Sequence, residues 1–191
     1  MNSRIIYRGY VTLEIIESKF EVVHVPDSVA IFVFDPVLDL VLFVEQARFP
    51  VVSESNPTGR IREFVAGRLD KKGLDPIEIA QIELKEEAGL TVPTNDIHLL
   101  NGGEPLALSP GVLTEHTYIA FAMTSLVEYV NRIGVSFGNA EEGEKTYPFV
   151  VPVAELGSMT FHSMTTFALV QWFRNELLEA VAGRVNKWRK K

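Results

Sequence analysis

The first half of the chain is dominated by short segments rich in valine, isoleucine, phenylalanine and threonine, with turn-forming residues between them. Pro26-Asp27 and Asp35-Pro36 are two of these turn signals, and both offer the chain a tight reversal. Short apolar segments with such links are typical of neighbouring strands that pair in antiparallel fashion. The strands predicted in this half cover residues 10–16, 19–25, 28–35 and 40–46.

The best-defined helix carries signals at both of its ends. Asp75 is a natural N-cap, Pro76 takes the first helical position, and Glu78 completes a capping box. Gly89 supplies the left-handed residue at which a helix stops. These signals predict a helix over residues 76–88.

The rest of the chain adds further strands and a second helix. Residues 131–145 are polar and acidic, and we predict a loop there. Apolar residues at helical spacing predict the second helix over residues 161–182. Further strands are predicted over residues 62–66, 97–100, 116–123 and 147–153. Strands and helices mixed in this order predict a fold of the α/β (α+β) class.

Composition excludes several classes of protein. The 191 residues are 47% hydrophobic, so the chain can build the core of a globular domain. No apolar run is longer than that from Val29 to Phe34, which falls far short of the roughly 20 residues that a membrane-spanning helix needs. The absence of cysteine excludes disulfides and thiolate metal sites. No signal peptide is visible, and we expect a cytoplasmic protein with no membrane partner.

The charge balance bears on the partners of the protein. With 25 acidic and 18 basic side chains, the formal net charge is −7. This value argues against general nucleic-acid binding, so no nucleic-acid partner is predicted. An acidic protein that handles an anionic substrate needs metal cations between the two like charges.

Three glutamates of the predicted helix share one arc of its surface. Glu83, Glu86 and Glu87, called here the carboxylate triad, are spaced i, i+3 and i+4, and like charges at these spacings destabilise a helix. Such an arrangement is tolerated on a solvated face, where the repulsion is screened, or where a cation lies among the carboxylates. Oxygen ligands without histidine or cysteine suit a hard cation such as Mg²⁺ or Mn²⁺. Spacing alone leaves both interpretations open.

A strand running into Gly67, the turn after it and the helix with its triad together resemble the Nudix box. That family pattern is Gly, five residues, Glu, seven residues, then Arg-Glu-apolar-x-Glu-Glu-x-Gly-apolar, and residues 83–90 match its second half. The resemblance covers roughly residues 29–156. There are departures: the loop is one residue longer, and Leu74 and Ile82 replace the first Glu and the Arg. In the family those two residues brace the loop and orient the carboxylates.

The resemblance implies a fold and an assembly. Residues 28–191 would form the Nudix domain, an α/β/α sandwich around a mixed sheet, preceded by a small antiparallel strand unit over residues 1–27. The subgroup with the most similar pattern is that of the ADP-ribose and nucleotide-sugar pyrophosphatases. In that subgroup the N-terminal unit mediates dimerisation, so a homodimer is expected. An aromatic side chain from the partner subunit's unit can stack on adenine there, and Tyr7, Tyr10 and Phe20 are the candidates, with nothing in the spacing to select one.

The resemblance also implies roles for individual residues. The metal, Mg²⁺ or Mn²⁺, would be held mainly by Glu83 and Glu87, with the third triad member as an additional ligand. The backbone carbonyl of Ala66 would be a further ligand. Arg48 is similar to an arginine that contacts substrate phosphates, and a Ser-Pro-Gly turn is similar to the loop that holds the terminal sugar. The substrate-binding residues implied in this way are Arg48, Glu63, Arg68, Gly111 and Glu115.

In this subgroup an acidic loop supplies a further catalytic group. Counting back from Val151-Pro152, Glu142 and Glu144 fall where the subgroup carries paired glutamates. One would deprotonate the attacking water and the other would bind a cation. We expect Glu142 to be the base, although the count does not separate the two roles. The alternative is a solvated acidic loop without a catalytic role.

Two functions agree with these observations. The first is Mg²⁺-dependent hydrolysis of the diphosphate bond of ADP-ribose, or of another nucleotide sugar such as a GDP- or UDP-sugar, giving a nucleoside monophosphate and a sugar phosphate. The second is a non-catalytic Nudix-like module that binds a nucleotide or a protein partner. Leu74 and Ile82 favour the second function, whereas the complete carboxylate triad and the loop glutamates favour the first.

Overall fold

The computed structural model describes residues 2–132, 134–139 and 143–181. Over this part of the chain, strands form two sheets and two long helices accompany them, which confirms the predicted mixture of strands and helices. No helix within these residues is long and apolar enough to cross a membrane. The strands are Ser3–Arg8 (β1), Thr12–Ile16 (β2), Phe20–His24 (β3), Ser28–Asp35 (β4), Leu40–Ala47 (β5), Arg60–Glu63 (β6), Val65–Arg68 (β7), Ile97–Leu99 (β8), Leu106–Ala107 (β9), His116–Met123 (β10) and Thr146–Pro152 (β11), and the helices are Pro76–Ala88 (α1) and Met164–Val181 (α2).

Strands β1, β2 and β3 form a small antiparallel sheet of their own. The sequence pattern did not predict β1, whose residues are exposed along its whole length. Strand β3 links this sheet to the loop before β10. The Val23 N–H donates to the Val112 carbonyl at 2.8 Å, and the Val23 carbonyl accepts from the Thr114 N–H at 3.1 Å. The loop with the Ser-Pro-Gly turn is therefore attached to the N-terminal sheet.

The larger sheet is mixed, and two short strands fill a gap in its middle. Its main path is β11-β5-β4-β10-β8; β10 runs parallel to β4, and the remaining pairings that the structure describes are antiparallel. Strands β4 and β5 pair beside the turn that joins them and then diverge. Strand β7 pairs with residues 28–31 of β4, and β6 pairs with residues 44–47 of β5. The single strand predicted over residues 62–66 is wrong, because its two halves pair with different neighbours and break at Phe64.

Strand β4 is buried on both faces because a helix covers each side of the sheet. Its Val29, Ile31 and Val33 side chains belong to a core that α1 completes, whereas Phe32 and Phe34 belong to a second core that α2 completes. Neighbouring strand residues point to opposite faces, so a strand between two helical layers is apolar throughout. Each large side chain buried in this way contributes roughly 1.5–3 kcal/mol.

Helix α1 begins and ends where the sequence predicts. The Asp75 carboxylate accepts hydrogen bonds from the N–H groups of Ile77 and Glu78 at 2.9 Å. The Glu78 carboxylate accepts from the Asp75 N–H, also at 2.9 Å, which completes the capping box. Gly89 ends the helix with a φ of 67°, in the left-handed region. These local contacts set where the helix begins and ends, and so which side of the helix the carboxylate triad occupies.

Helix α2 begins at Met164 rather than at the predicted residue 161. Ser163 precedes it: the Ser163 hydroxyl accepts from the Thr166 N–H at 3.3 Å, and the Ser163 carbonyl accepts from the Phe167 N–H at 3.0 Å. The predicted end of this helix, residue 182, lies outside the described residues. Its start points polar groups toward the cavity described next.

Candidate active site

A cavity of about 600 Å³ lies among the β6–β7 segment, α1, the start of α2 and the loop before β10. The structure brings these predicted site residues into its lining: Arg48, Glu63, Ala66, Arg68, Glu83, Glu86, Glu87, Glu115 and Glu144. Gly111 is not among the lining residues, and Glu142 lies outside the described residues. The roles of all these residues in binding and catalysis stay predictions.

Two members of the carboxylate triad are buried where they line the cavity. Glu83 is 9% exposed and Glu87 is 1% exposed, whereas Glu86 is exposed. The solvated helix face considered as an alternative is therefore wrong for Glu83 and Glu87. Within the part of the chain that the structure describes, Glu87 Oε2 has no hydrogen-bond partner. A buried carboxylate oxygen in this state is costly unless a cation or a proton satisfies it.

The burial of these carboxylates opposes their ionisation. Burial raises the pKa of Glu83 to about 7; Lys71 opposes this rise, and repulsion from another triad member and from Glu144 adds to it. Burial likewise raises the pKa of Glu87 well above its ordinary value, with repulsion from Glu144 and Glu83 adding to the rise and Arg48 opposing it. A cation bound beside these groups would favour their charged forms and lower both pKa values.

Lys71, in the loop between β7 and α1, bridges two members of the triad. Its Nζ atom lies 3.5 Å from Glu83 Oε1 and 3.4 Å from Glu86 Oε2. Burial lowers the pKa of Lys71, but attraction to these two carboxylates outweighs burial, and the pKa is raised above its ordinary value. The ammonium therefore stays charged. No role was predicted for this lysine, although the lengthened loop marks its position in the sequence.

Arg48 and Glu63, both predicted to bind substrate, contact each other. Arg48 Nε donates a hydrogen bond to Glu63 Oε2 at 2.8 Å. Burial lowers the pKa of Arg48, but attraction to Glu63, and to Glu87 and Glu144, outweighs it and raises the pKa. Glu63 therefore orients the guanidinium of Arg48 within the cavity.

Tyr10 and Arg68 form a stacked pair at the cavity. The Arg68 guanidinium carbon lies 4.2 Å from the centre of the Tyr10 ring, within the range of a cation–π contact. Of the three aromatic residues considered from the sequence, Tyr10 is the one that lines the cavity. The side chain is 80% exposed, so most of its surface is accessible to a ligand.

Glu115 accepts a hydrogen bond from a serine of β4, and that serine also contacts a threonine of β10. Ser28 Oγ donates to Glu115 Oε1 at 2.8 Å, and Ser28 Oγ lies 2.8 Å from Thr117 Oγ1. Ser28 and Thr117 face each other in the parallel pairing of the two strands. Neither was predicted, because single polar residues on distant strands have no spacing that marks them. Other lining residues that the sequence did not single out are Asp70, Leu108, Asn139, Ser163, Thr165 and Thr166.

The oxygen donors of the cavity fit a hard divalent cation in their chemistry and burial. The unpartnered Glu87 Oε2 is an acceptor that such an ion satisfies. Gly67 makes room for the Glu83 carboxylate, because a Cβ at position 67 would collide with it. Within the described residues, however, no three histidine, aspartate or glutamate side chains are grouped closely enough to hold a metal as they stand. Two triad members contact Lys71 instead.

Comparison with known proteins assigns no family to this chain. No protein-family model matches it, and no curated protein matches its sequence. The Nudix resemblance therefore depends on the motif residues themselves, and it stays a hypothesis.

Proposed function

We propose that the chain is a Nudix hydrolase that cleaves the diphosphate bond of a nucleotide sugar with Mg²⁺ or Mn²⁺, and that ADP-ribose is the first substrate to test. One observation carries this proposal: two buried carboxylates, Glu83 and Glu87, share a cavity with the guanidinium of Arg48. Buried anions near a cation suit a ligand that combines phosphate groups with a metal ion.

The architecture supports this proposal. A helix lies on each face of a mixed sheet, and the segment that resembles the Nudix box runs from β7 through α1. We infer that residues 28–191 form a Nudix α/β/α domain and that residues 1–27 form the dimerisation unit of a cytoplasmic homodimer.

The carboxylate triad and the Ala66 carbonyl are the groups that would hold the metal. When bound there, a divalent cation would neutralise charge on the diphosphate and would lower the pKa of the attacking water. Arg48, oriented by Glu63, binds phosphate oxygens through its guanidinium. Glu144 lines the same cavity and accepts the proton of the water. Glu142, the base expected from the sequence, lies outside the described residues and stays the other candidate for that role.

The reaction adds water across one P–O bond. The water oxygen attacks one phosphorus, the bridging oxygen leaves with the other phosphoryl group, and the proton of the water passes to the carboxylate base. ADP-ribose would give AMP and ribose 5-phosphate. The Tyr10–Arg68 pair offers a surface on which a base can stack, and Glu115 accepts hydrogen bonds from sugar hydroxyls.

A non-catalytic nucleotide-binding module is the second candidate, and specific observations favour it. Lys71 contacts Glu83 and Glu86, so these carboxylates are partly neutralised without a metal ion. Leu74 and Ile82 occupy the positions at which the family pattern carries charged residues. Leucine and isoleucine carry no charge, so they cannot form the ion pairs or hydrogen bonds that would orient the carboxylates. Such a module would bind its nucleotide without hydrolysing it.

Hydrolysis of ADP-ribose in the presence of Mg²⁺ tests the proposal, with AMP measured by chromatography. We expect AMP to form and Glu87→Gln to lower the rate by about 100-fold or more, because a neutral amide is a poor metal ligand. Glu155→Gln is the matched control, since Glu155 is exposed and is not among the residues that line the cavity.

Each outcome of this experiment decides between the two candidates. No product from ADP-ribose or from a panel of GDP- and UDP-sugars, together with nucleotide binding in calorimetry, would favour the non-catalytic module. Turnover with near-normal activity of Glu87→Gln would contradict the assignment of the metal site. Equal losses in Glu87→Gln and Glu155→Gln would point to a general effect on folding.

A further inference from the structure

Lys71 contacts the carboxylates that are proposed to hold the metal. Its Nζ atom lies 3.5 Å from Glu83 Oε1 and 3.4 Å from Glu86 Oε2. The Glu83 side chain is 11% exposed and that of Lys71 is 37% exposed, so water screens this charge pair less than it would a surface pair. The ammonium thus takes part of the role that a bound cation would take.

The two distances show a shared contact rather than one tight ion pair. A close charge-assisted N–H···O bond spans about 2.7–2.9 Å, and both contacts here are longer. The ammonium therefore straddles the two carboxylates. A divalent cation at Glu83 Oε1 and Glu86 Oε2 would be repelled by the like-charged ammonium that already contacts both oxygens.

We propose that Lys71 is an internal counter-cation that competes with the divalent metal, so that metal binding requires the ammonium to leave Glu83 and Glu86. This inference depends on the proposed metal site. It agrees with the finding that, within the described residues, no three histidine, aspartate or glutamate side chains are grouped closely enough to hold a metal. It also assigns a role to the lengthened loop, which brings the positive charge of Lys71 to the carboxylates. In the family pattern a Glu and an Arg orient these carboxylates, but here Leu74 and Ile82 replace them.

The lysine side chain is the part of this arrangement that would move when a metal binds. Lys71 belongs to a short turn that ends with Gly73, whose φ of 86° lies in the left-handed region and whose surroundings are open. The long side chain of Lys71 can rotate toward solvent without a change in α1 or β7. Metal binding then exchanges one cation for another beside Glu83 and Glu86.

Binding of Mn²⁺ to the substrate-free protein tests this competition, measured by electron paramagnetic resonance at constant ionic strength. We expect Lys71→Gln to bind Mn²⁺ about tenfold more tightly than the wild type, because a repelling charge is removed. Lys72→Gln is the matched control: it removes the same charge from the adjacent exposed residue, which is not among the lining residues. Its Mn²⁺ affinity should stay within about twofold of the wild type.

Thermal unfolding supplies a second readout. Without metal, Lys71→Gln should unfold at a lower temperature than the wild type, because the carboxylates lose their counter-charge; with saturating Mn²⁺ this difference should disappear. Lys71→Arg keeps the charge and should not bind Mn²⁺ more tightly, which separates loss of charge from loss of packing.

The controls separate failure of this inference from failure of the proposed function. If the wild type binds Mn²⁺ and Glu87→Gln abolishes binding, but Lys71→Gln binds no more tightly, the lysine does not compete and the inference is wrong. If neither the wild type nor Lys71→Gln binds Mn²⁺ at millimolar concentration, the metal site itself is wrong, and the proposed function fails with it.

Discussion

Glu83 and Glu87 are buried at the cavity, whereas the glutamates of an ordinary amphipathic helix face water. Their spacing determines which side of α1 they occupy, and this could be predicted from residues 83–87 alone. What covers that side depends on the β6–β7 segment and on the loop that carries Lys71, which are long-range features. Glu87 has a buried oxygen without a hydrogen-bond partner among the described residues, so its carboxylate needs a bound cation or a proton.

The raised pKa of Glu83 predicts how the stability of the metal-free protein depends on pH. Burial raises this pKa from the ordinary 4.5 to about 7, so between these values the folded protein holds a proton that the unfolded chain releases. The free energy of unfolding therefore falls as the pH rises through this window, by up to about 3 kcal/mol from this group. Urea unfolding at pH 5 and pH 8 with a chelator present measures the loss.

Two comparisons isolate the contribution of Glu83. Glu83→Gln cannot titrate, so its free energy of unfolding should fall less between the two pH values than that of the wild type. Added Mg²⁺ should reduce the loss in the wild type, because it stabilises the ionised carboxylate. An identical pH dependence in the wild type and in Glu83→Gln would show that the pKa of Glu83 is not raised by folding.

Helix α1 is the element that the sequence determined most completely. Asp75, Pro76 and Gly89 act through contacts within a few residues, so no knowledge of the rest of the fold was needed to place both helix ends. Strands β4 and β10 have the predicted bounds for a related reason, since each contains a run of six apolar residues between clear breaks.

Replacement of Asp75 by alanine should destabilise the fold through this helix. The Asp75 carboxylate accepts two backbone N–H groups that would otherwise lack partners, and loss of such a cap costs about 1 kcal/mol. Urea unfolding should show this decrease with an unchanged dependence on denaturant. Glu78→Gln is the control, because its amide oxygen can still accept from the Asp75 N–H and little stability should be lost. Equal stability of Asp75→Ala and the wild type would contradict the role of the cap.

The elements that could not be predicted are those defined by pairing across the chain. Residues 62–66 look like one strand, but which neighbour a short strand joins depends on where β4 and β5 separate. Ser28 and Thr117 meet because β4 and β10 pair in parallel, a contact between residues 89 positions apart. Lys71 reaches the triad through the conformation of a loop. No local pattern marks the strand pairings or the contact between Ser28 and Thr117, and the lengthened loop marks the position of Lys71 without predicting what its side chain contacts.

Across residues 2–132, 134–139 and 143–181, the strands form two sheets that differ in how their faces are covered. The larger one is covered by a helix on each face, whereas the N-terminal sheet leaves large apolar side chains in solvent, with Ile5, Ile6, Tyr7 and Phe20 between 45% and 56% exposed. Strand β1 also lies at the edge of its sheet. An exposed edge strand with apolar side chains is a common site of association. A second copy of this chain is the partner that the predicted homodimer would place there.

Light scattering during gel filtration should therefore give a mass of twice the 21.4 kDa of the chain. Burial of one isoleucine contributes roughly 1.5–3 kcal/mol, so a buried charge at Ile6 in each copy should weaken the dimer by at least about 100-fold, and Ile6→Glu should elute as a monomer. Val37→Glu, with the same charge at a turn residue that is 86% exposed, should stay dimeric. A wild-type mass of one chain would contradict the homodimer, and a dimeric Ile6→Glu would place its interface away from β1.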